Sequence, residues 1–220
     1  MPSVLVTGAS RGIGRATVER LVREGWTVIA TVRRDADGKA LVDAFGDRVH
    51  PALLDISDAT QLAALDRQLP ETLDAVVNNA GIVVGGPVEA LPLNELRRQL
   101  EVNIVGQVAV TQVVLPRLRR ARGRVVFVSS LSGRIATPMT GAYNASKFGL
   151  EAIADAMRME LWPWHISVSV VEPAQTDTDM WRSADEQLEE SVAAVSPDQR
   201  ELYAQHIEGF VLRAVVDNDH

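Results

Sequence analysis

Residues 4–14 read VLVTGASRGIG, an apolar run followed by three closely spaced glycines. An apolar strand that ends in such a turn and leads into helical spacing is typical of a site for the phosphates of a nucleotide. Gly8 would allow the tight turn, Gly12 would let the backbone approach a pyrophosphate, and Gly14 would let the helix pack closely on the strand. The helix would then offer free N–H groups at its amino end. The spacing is G-x-x-x-G-x-G instead of the usual G-x-G-x-x-G, and a purely structural turn is the alternative.

The rest of the chain repeats this strand–helix alternation. The predicted strands are residues 3–7, 27–32, 48–54, 73–77, 124–129 and 165–171, and the predicted helices are residues 13–24, 36–45, 58–69, 93–120 and 141–162. Strands separated by helix-length crossovers form a parallel sheet, and their nearly continuous apolar character indicates burial on both faces. The pattern predicts an α/β fold of the Rossmann type, a doubly wound parallel sheet in three α/β/α layers.

Composition limits the class of protein. The 220 residues include 22 basic and 29 acidic side chains, a formal charge of −7, which argues against a nucleic-acid-binding surface. The absence of cysteine excludes disulfides, thiol catalysis and Cys-ligated metals. The four histidines lack metal-ligand spacing, so no metal site is predicted. No apolar run approaches the ~18 residues of a membrane span, and the amino terminus lacks the basic region of a signal peptide, so we expect a cytoplasmic protein.

Further motifs follow in sequence order. Asn78-Asn79-Ala80-Gly81 comes after the fourth predicted strand, Ser129-Ser130 after the fifth, and Tyr143-x3-Lys147 at the start of the last long helix. Together with Thr7-Gly8-x3-Gly12-x-Gly14, these motifs resemble the short-chain dehydrogenase/reductase family over about residues 3–178. The resemblance implies an NAD(P)-dependent oxidoreductase that interconverts a carbonyl and an alcohol, acting on the CH–OH group. It also implies a homodimer or a homotetramer.

We expect a single domain over residues 1–220, because no repeat, linker or low-complexity tract interrupts the pattern. The pattern changes near residue 180, and residues 179–220 are predicted to be a short, irregular segment on the substrate side. The resemblance implies a seventh edge strand, for which this chain leaves little room. We therefore predict six strands, with none over residues 209–216, or a chain shortened at its carboxyl terminus.

A catalytic group is predicted from four residues. Tyr143 and Lys147 are four apart in a predicted helix, so their side chains are neighbours, and a nearby ammonium should lower the pKa of the tyrosine. By itself this pair is mostly structural. Ser130 strengthens the catalytic interpretation, because it follows a strand and its hydroxyl could hydrogen-bond a substrate carbonyl. The resemblance adds Asn103, which would kink its helix and hold a water that links the lysine to solvent.

The end of the second predicted strand bears on the cofactor. An acid at this position bonds the ribose 2′-OH of NAD, whereas arginine accommodates the 2′-phosphate of NADP. Val32 stands where the acid would be, Arg33 follows it, and Arg11 adds a second cation. We therefore expect NADP(H) as the preferred cofactor, with NAD(H) left open. The alternative is that Arg33 and Arg34 are a solvated loop pair.

The resemblance implies further cofactor contacts. Asp55 and Ile56 would contact the adenine, although Asp55 or Ser57 could instead cap the next helix. Pro173 would begin the segment around the nicotinamide, and Ala174 replaces the usual glycine there. The predicted cofactor-binding residues are Gly8, Ser10, Arg11, Gly12, Ile13, Gly14, Arg33, Asp55, Ile56, Asn79, Ala80, Gly81, Tyr143, Lys147, Pro173, Thr176 and Thr178.

The substrate and one rival function stay open. Val83, Val84 and Met139, with Met180 and Trp181 nearer the carboxyl terminus, favour an apolar carbonyl or alcohol such as a steroid, retinoid or aliphatic ketone. The alternative function is a catalytically weak NADP(H)-binding regulator or scaffold of the same fold. A sugar-nucleotide epimerase is disfavoured, because that class uses a differently spaced glycine turn.

Overall fold

Six parallel strands form one sheet in the computed structural model, which describes residues 1–174, 196, 198–199 and 201–206. The strands are β1 (Ser3–Val6), β2 (Thr27–Val32), β3 (Val49–Leu53), β4 (Ala75–Asn78), β5 (Arg124–Val128) and β6 (Ser167–Val171). Their order is β3-β2-β1-β4-β5-β6, so the direction of winding reverses between β1 and β4. The prediction of a doubly wound Rossmann-type sheet is confirmed. Several predictions fall outside the described residues. They are those for Thr176, Thr178, Met180 and Trp181, and the prediction that no strand forms over residues 209–216.

Six helices accompany the strands within residues 1–174. They are α1 (Gly12–Arg23), α2 (Asp35–Phe45), α3 (Ala59–Asp66), α4 (Leu93–Leu100), α5 (Gln107–Ala121) and α6 (Gly141–Glu160). Within the helical stretch predicted over residues 93–120, a π-helical segment, Glu101–Gly106, separates α4 from α5. This segment contains Asn103, where the family resemblance implies a kink. In the part of the chain described, no helix is long and apolar enough to cross a membrane.

The core lies on both faces of the sheet. Successive side chains of a strand point to opposite faces, and β1 shows this directly. Val4 and Val6 belong to an apolar cluster with side chains of α1 and α2, whereas Leu5 belongs to a second cluster with side chains of α5 and α6. Burial on both faces explains why the strand sequences are continuously apolar.

A row of four buried polar side chains runs along the helices that follow β4. These side chains, here called the polar stripe, are four residues apart: Gln99, Asn103, Gln107 and Thr111. At one end of the stripe, Asn78 Nδ2 donates to Thr111 Oγ1 at 2.9 Å. Next to it, Gln107 Nε2 donates to the carbonyl oxygen of Ala80 at 2.8 Å. The stripe therefore contacts the chain as it leaves β4.

The other half of the polar stripe continues along the same chain. Asn103 Oδ1 accepts from the Ile82 amide at 2.9 Å, and Asn103 Nδ2 donates to the Ile82 carbonyl at 3.0 Å. Gln99 Nε2 also donates to the Ile82 carbonyl, at 2.8 Å, and Gln99 Oε1 accepts from the Val84 amide at 2.6 Å. The stripe thus supplies hydrogen bonds to the backbone of residues 80–84, which form a loop between β4 and α4.

The spacing of the polar stripe matches the backbone that it binds. Four helical residues rise about 6 Å, and two extended residues span about 6.6 Å. Steps of four along the helices can therefore follow steps of two along residues 78–84. An α-helix rotates residues four apart by about 40° relative to each other, so a long stripe would drift off its partner. The π-helical segment has more residues per turn, which rotates the stripe back toward the chain.

Replacing Gln99 with leucine tests the polar stripe. Gln99→Leu keeps the side chain's volume but leaves the buried Val84 amide without its acceptor. We expect the free energy of unfolding to fall by about 1–3 kcal/mol, the cost of an unsatisfied buried polar group. Chemical denaturation measures the change. Gln68→Leu, at an exposed position, is the matched control, and an equal loss in both variants would contradict the assignment.

Candidate active site

A cleft of about 370 Å³ opens at the carboxyl ends of the strands. It lies where the strand order reverses between β1 and β4, which is the place where open α/β sheets bind ligands. The cleft is lined by Ser130 and by most of the predicted cofactor-binding residues, namely Gly8, Ser10, Arg11, Gly12, Ile13, Arg33, Asp55, Ile56, Asn79, Ala80, Gly81, Tyr143, Lys147 and Pro173. Gly14 and Asn103 pack behind this surface, and Thr176 and Thr178 lie outside the described residues.

The glycine turn has the geometry that its sequence predicts. Gly8 and Gly12 have φ angles of +63° and +52°, which favour glycine because it has no Cβ. Gly14 serves packing, since a Cβ on Gly14 would lie 2.3 Å from the Gly8 carbonyl oxygen and 2.6 Å from Asn79 Nδ2. The turn therefore leads directly into the amino end of α1, at the edge of the cleft. Backbone N–H groups and a helix dipole in this position fit a pyrophosphate.

Thr7 joins the glycine turn to the segment after β4. Its hydroxyl oxygen accepts from the backbone amides of Asn79 and Ala80 at 2.9 and 3.0 Å. In return, Asn79 Nδ2 donates to the carbonyl oxygens of Thr7 and Gly8 at 2.9 and 3.1 Å. Sequence reasoning did not select Thr7 as a site residue. The signal was its position directly before the first glycine, at the end of a buried strand.

The two arginines after β2 are engaged differently. Arg34 Nε and Nη2 donate to the two carboxylate oxygens of Asp37 at 2.9 and 2.8 Å, and this hydrogen bonding raises the pKa of Arg34. The pKa of Asp37 is lowered, first by the Arg34 hydrogen bond and also by the charges of Arg34, Arg11 and Arg33. Arg33 and Arg11 therefore lie near the same carboxylate, and both line the cleft. Both arginines are exposed, so the solvated loop pair stays the alternative to a cofactor role of Arg33.

Asp55 does not cap the helix that follows it. Its Oδ1 accepts from the amide and the hydroxyl of Ser57, at 3.0 and 2.6 Å. The residue that caps α3 is Asp58, which accepts from the amides of Thr60 and Gln61. The alternative role given to Asp55 and Ser57 is therefore wrong, and Asp55 stays at the cleft surface.

Three of the four predicted catalytic side chains come together on one wall of the cleft. Tyr143 and Lys147 project from α6, with Lys147 Nζ 5.7 Å from the centre of the tyrosine ring. Lys147 Nζ donates to the carbonyl oxygen of Val128, the last residue of β5, at 2.8 Å. Ser130 Oγ accepts from the Ser132 amide at 3.1 Å, and the Ser130 hydroxyl acts on Tyr143 by lowering the pKa of the phenol.

Burial controls the ionisation of this group. It raises the pKa of Tyr143, and the hydrogen bond with Ser130 opposes that change only in part. Burial also lowers the pKa of Lys147 to about 8, against the charge of Glu151, which raises it. The pKa of Tyr143 is therefore raised and not lowered, because removal of the phenol from water has the largest effect on it. Tyr143 holds its proton at neutral pH.

Asn103 does not line the cleft but lies directly behind residues that do. It is fully buried in the π-helical segment, and its Nδ2 donates to Ser146 Oγ at 3.0 Å as well as to Ile82. Ser146 precedes Lys147 on α6, so Asn103 connects the segment after β4 with the helix that carries the catalytic pair. The water-holding role that the family resemblance implies stays a prediction.

Further residues line the cleft beside the predicted site residues. Val32, Ser57, Val83, Ser129 and Ala174 belong to motifs that the sequence analysis names, and Val83 is among the residues expected at the substrate. The residues that sequence reasoning missed are Thr31, Leu54, Ile82, Arg98, Val102 and Val128. Most of these adjoin predicted residues at strand ends, which is a usable signal. Arg98 and Val102 had no such signal, because only the packing of α4 and the π-helical segment brings them to the cleft.

A sheet that reverses its winding beside a glycine turn, with a tyrosine, a lysine and a serine on the facing wall, defines a class of protein. The turn supplies a place for a dinucleotide, and the side chains supply proton transfer next to it. The class is a Rossmann-fold oxidoreductase.

Comparison with known proteins identifies the family within that class. The short chain dehydrogenase family model matches residues 2–189, and the chain belongs to the short-chain dehydrogenase/reductase family of NAD(P)-dependent enzymes. It is 34% identical over 197 residues to the NADPH-dependent 3-dehydrocapnine reductase of Ornithobacterium rhinotracheale. It is 38% identical over 176 residues to retinol dehydrogenase 5 of Mus musculus. The closed form of serine dehydrogenase complexed with NADP+ is structurally similar, with a TM-score of 0.79 and 27% identity.

These matches cover more of this chain than of the longer relatives. The two sequence matches cover 84% and 77% of this chain but 69% and 55% of the respective relatives. The serine dehydrogenase match covers 86% of this chain and 80% of the other. The family model over residues 2–189 includes the described sheet and cleft, and the relatives are longer than the matched region.

Adding a methyl group at Gly14 tests the glycine turn. In Gly14→Ala the new Cβ would displace the Gly8 carbonyl, which is backbone and moves only with the whole turn. We expect the Kd for NADPH to rise at least about tenfold, equivalent to about 1.4 kcal/mol. Fluorescence titration with NADPH measures the affinity. Ala16→Ser, at an exposed position of α1, is the control, and unchanged affinity in Gly14→Ala would contradict the close-packing role.

Proposed function

We propose that this protein is an NADP(H)-dependent reductase that interconverts a carbonyl and an alcohol, with Tyr143 as the proton donor. The observation that carries the proposal is that Ser130, Tyr143 and Lys147 line the same cleft as the glycine turn, with Lys147 Nζ 5.7 Å from the centre of the tyrosine ring. A tyrosine at such a cleft that keeps its proton at neutral pH suits the reductive direction, because the new alcohol needs a proton on its oxygen.

Each side chain has a separate part in the proposed reaction. NADPH, when bound, supplies the hydride for the carbonyl carbon. Ser130 Oγ donates a hydrogen bond to the substrate oxygen, and the Ser132 amide, which donates to the same Oγ, fixes the orientation of that hydroxyl. Tyr143 transfers its phenolic proton to the substrate oxygen, which completes the alcohol. The Lys147 ammonium then stabilises the phenolate, since an adjacent cation favours the charged form.

The proposed preference for NADP(H) rests on charge at the end of β2. Val32 offers no carboxylate for a ribose 2′-OH, whereas Arg33 and Arg11 lie together at the cleft. A guanidinium pairs well with a phosphate because its planar fork of N–H groups can donate two hydrogen bonds to two phosphate oxygens. The 3-dehydrocapnine reductase is NADPH-dependent and the similar serine dehydrogenase is complexed with NADP+, which supports the same preference here. NAD(H) remains the alternative cofactor.

The proposed substrate is an apolar carbonyl compound or alcohol. Ile82, Val83 and Val102 line the cleft and present only hydrocarbon side chains. The likeness to a retinol dehydrogenase supports an apolar substrate class. A homodimer or homotetramer and a cytoplasmic location stay predictions that follow from the family resemblance and the sequence.

A two-cofactor activity screen tests the proposed function. The full-length protein is assayed with NADPH and with NADH against apolar ketones, retinoid aldehydes, quinones and polar sugars. We expect oxidation of NADPH with apolar carbonyls. Tight NADPH binding without turnover of any substrate would instead favour the catalytically weak regulator.

The chain contains only two tyrosines, which provides a matched pair of variants. Tyr143→Phe removes the phenolic proton but keeps the ring, so we expect kcat to fall by at least about 10³-fold, within the range that general acid catalysis contributes. The Kd for NADPH should stay within about threefold, a change below about 0.7 kcal/mol. Tyr203→Phe should leave both constants unchanged. Steady-state kinetics and binding titration measure them, and robust turnover by Tyr143→Phe would refute the mechanism.

The adjacent arginines test the cofactor preference. Arg33→Ala should raise the KM for NADPH by about 10- to 100-fold, because a charge-assisted hydrogen bond contributes about 1.5–3 kcal/mol. The KM for NADH should change little, since NADH has no 2′-phosphate. Arg34→Ala is the control, because its guanidinium is already engaged by Asp37. If the two variants lose NADPH affinity equally, Arg33 is not the selective residue.

A further inference from the structure

A buried carboxylate, that of Glu151, lies behind the catalytic wall. Glu151 is on α6, four residues after Lys147, and each is only 4% exposed. Neither carboxylate oxygen of Glu151 accepts a hydrogen bond within the described structure. A buried carboxylate without hydrogen bonds is costly, and its retention requires cations close to it.

Two cations flank Glu151. Arg134, which follows β5, places Nη2 3.1 Å from Glu151 Oε2, a distance within ion-pair range although the angles do not make a hydrogen bond. Lys147 lies one helical turn before Glu151 on α6, so the two side chains are neighbours, and both are buried. Arg134 also pairs with Glu172 at 2.9 Å, near the surface. The carboxylate of Glu151 is therefore shared between a half-exposed guanidinium and a buried ammonium.

The other groups around Lys147 are uncharged. The Val128 carbonyl oxygen accepts a hydrogen bond from Lys147 Nζ, and Tyr143 places its ring near Nζ while its phenol stays protonated. Glu172 and Asp155 act on Arg134. In the described part of the chain, Glu151 is the one charged group that acts on Lys147.

We propose that Glu151 is a positioning residue of the active site, whose buried carboxylate keeps Lys147 charged. Arg134 pairs with the Glu151 carboxylate from the solvent side. The inference deepens the proposed function and rests on it for its effect on turnover. Its direct effect, on the protonation of Lys147, does not depend on any substrate.

The sign of the effect follows from electrostatics. The pKa of Lys147 is about 8 with Glu151 present, since the carboxylate opposes the lowering caused by burial. Removing the negative charge leaves burial unopposed, so the pKa of Lys147 falls and the lysine loses its proton at a lower pH. Removing the positive charge of Arg134 acts in the opposite direction. If Glu151 had a purely structural role, the two substitutions would not shift the pKa of Lys147 in opposite directions.

The composition of the chain makes a direct titration feasible. The sequence contains only two lysines, Lys39 and Lys147, and Lys39 is exposed. In a Lys39→Arg background, 13C-labelled lysine gives a single side-chain NMR signal, whose titration midpoint reports Lys147. All variants are measured in that background, with the full chain.

We expect Glu151→Gln to lower the Lys147 midpoint by at least about 0.5 pH unit, as loss of a nearby opposite charge in a buried site requires. Arg134→Gln should raise it. Asp155→Asn removes an exposed carboxylate from the same helix, one turn further on, and should leave the midpoint unchanged. Glu151→Asp retains the charge and should restore most of the wild-type midpoint.

An unchanged midpoint in folded Glu151→Gln would overturn the inference. If Glu151→Gln does not fold, the test rests on Arg134→Gln. A Lys147 midpoint that falls or stays constant in Arg134→Gln would also overturn the inference. With an active substrate, the alkaline limb of the kcat/KM profile for reduction should shift to lower pH in Glu151→Gln. Failure of the carbonyl screen together with a shifted Lys147 midpoint would refute the proposed function and leave the charge role of Glu151 standing.

Discussion

The site depends on the close contact between the turn after β1 and the segment after β4. Four hydrogen bonds join Thr7 and Gly8 on one side of this junction to Asn79 and Ala80 on the other, and Gly14 leaves no space for a side chain there. The contact occurs where the sheet reverses its winding, so the two segments diverge from each other immediately afterwards. The cleft is the space between them. Any change that separated the segments would displace the glycine turn from the wall that carries Tyr143.

The segment after β4 is held from two sides. The Thr7–Asn79 contact holds its start, and the polar stripe on α4, the π-helical segment and α5 holds residues 80–84. Backbone in a loop has no neighbouring strand to satisfy its polar groups, and burial without partners would be costly. Three amide side chains, those of Gln99, Asn103 and Gln107, supply those partners. The π-helical segment, which departs from the regular helix, is therefore part of how the loop and the cleft keep their shape.

Burial has opposite consequences for the two ionisable groups of the catalytic wall. It keeps the proton on Tyr143 and weakens the hold of Lys147 on its own proton. The side chains that moderate these effects come from different elements: Ser130 from the end of β5, and Glu151 from α6, with Arg134 behind it. The chemistry of the wall thus depends on how deeply the helix α6 packs against the sheet as much as on which residues it carries.

The sequence by itself determined the alternation of strands and helices, the doubly wound sheet and the residues around the cleft, because apolar periodicity, glycine turns and helical spacing are local properties of the chain. It also placed Tyr143 and Lys147 on one face of a helix. It did not determine that the break near Asn103 is a π-helical segment, which partners Thr7 and Gln99 have, or how strongly burial raises the pKa of Tyr143. Those features join segments far apart in the chain, so only the tertiary structure, which sets their distances and removes them from water, decided them.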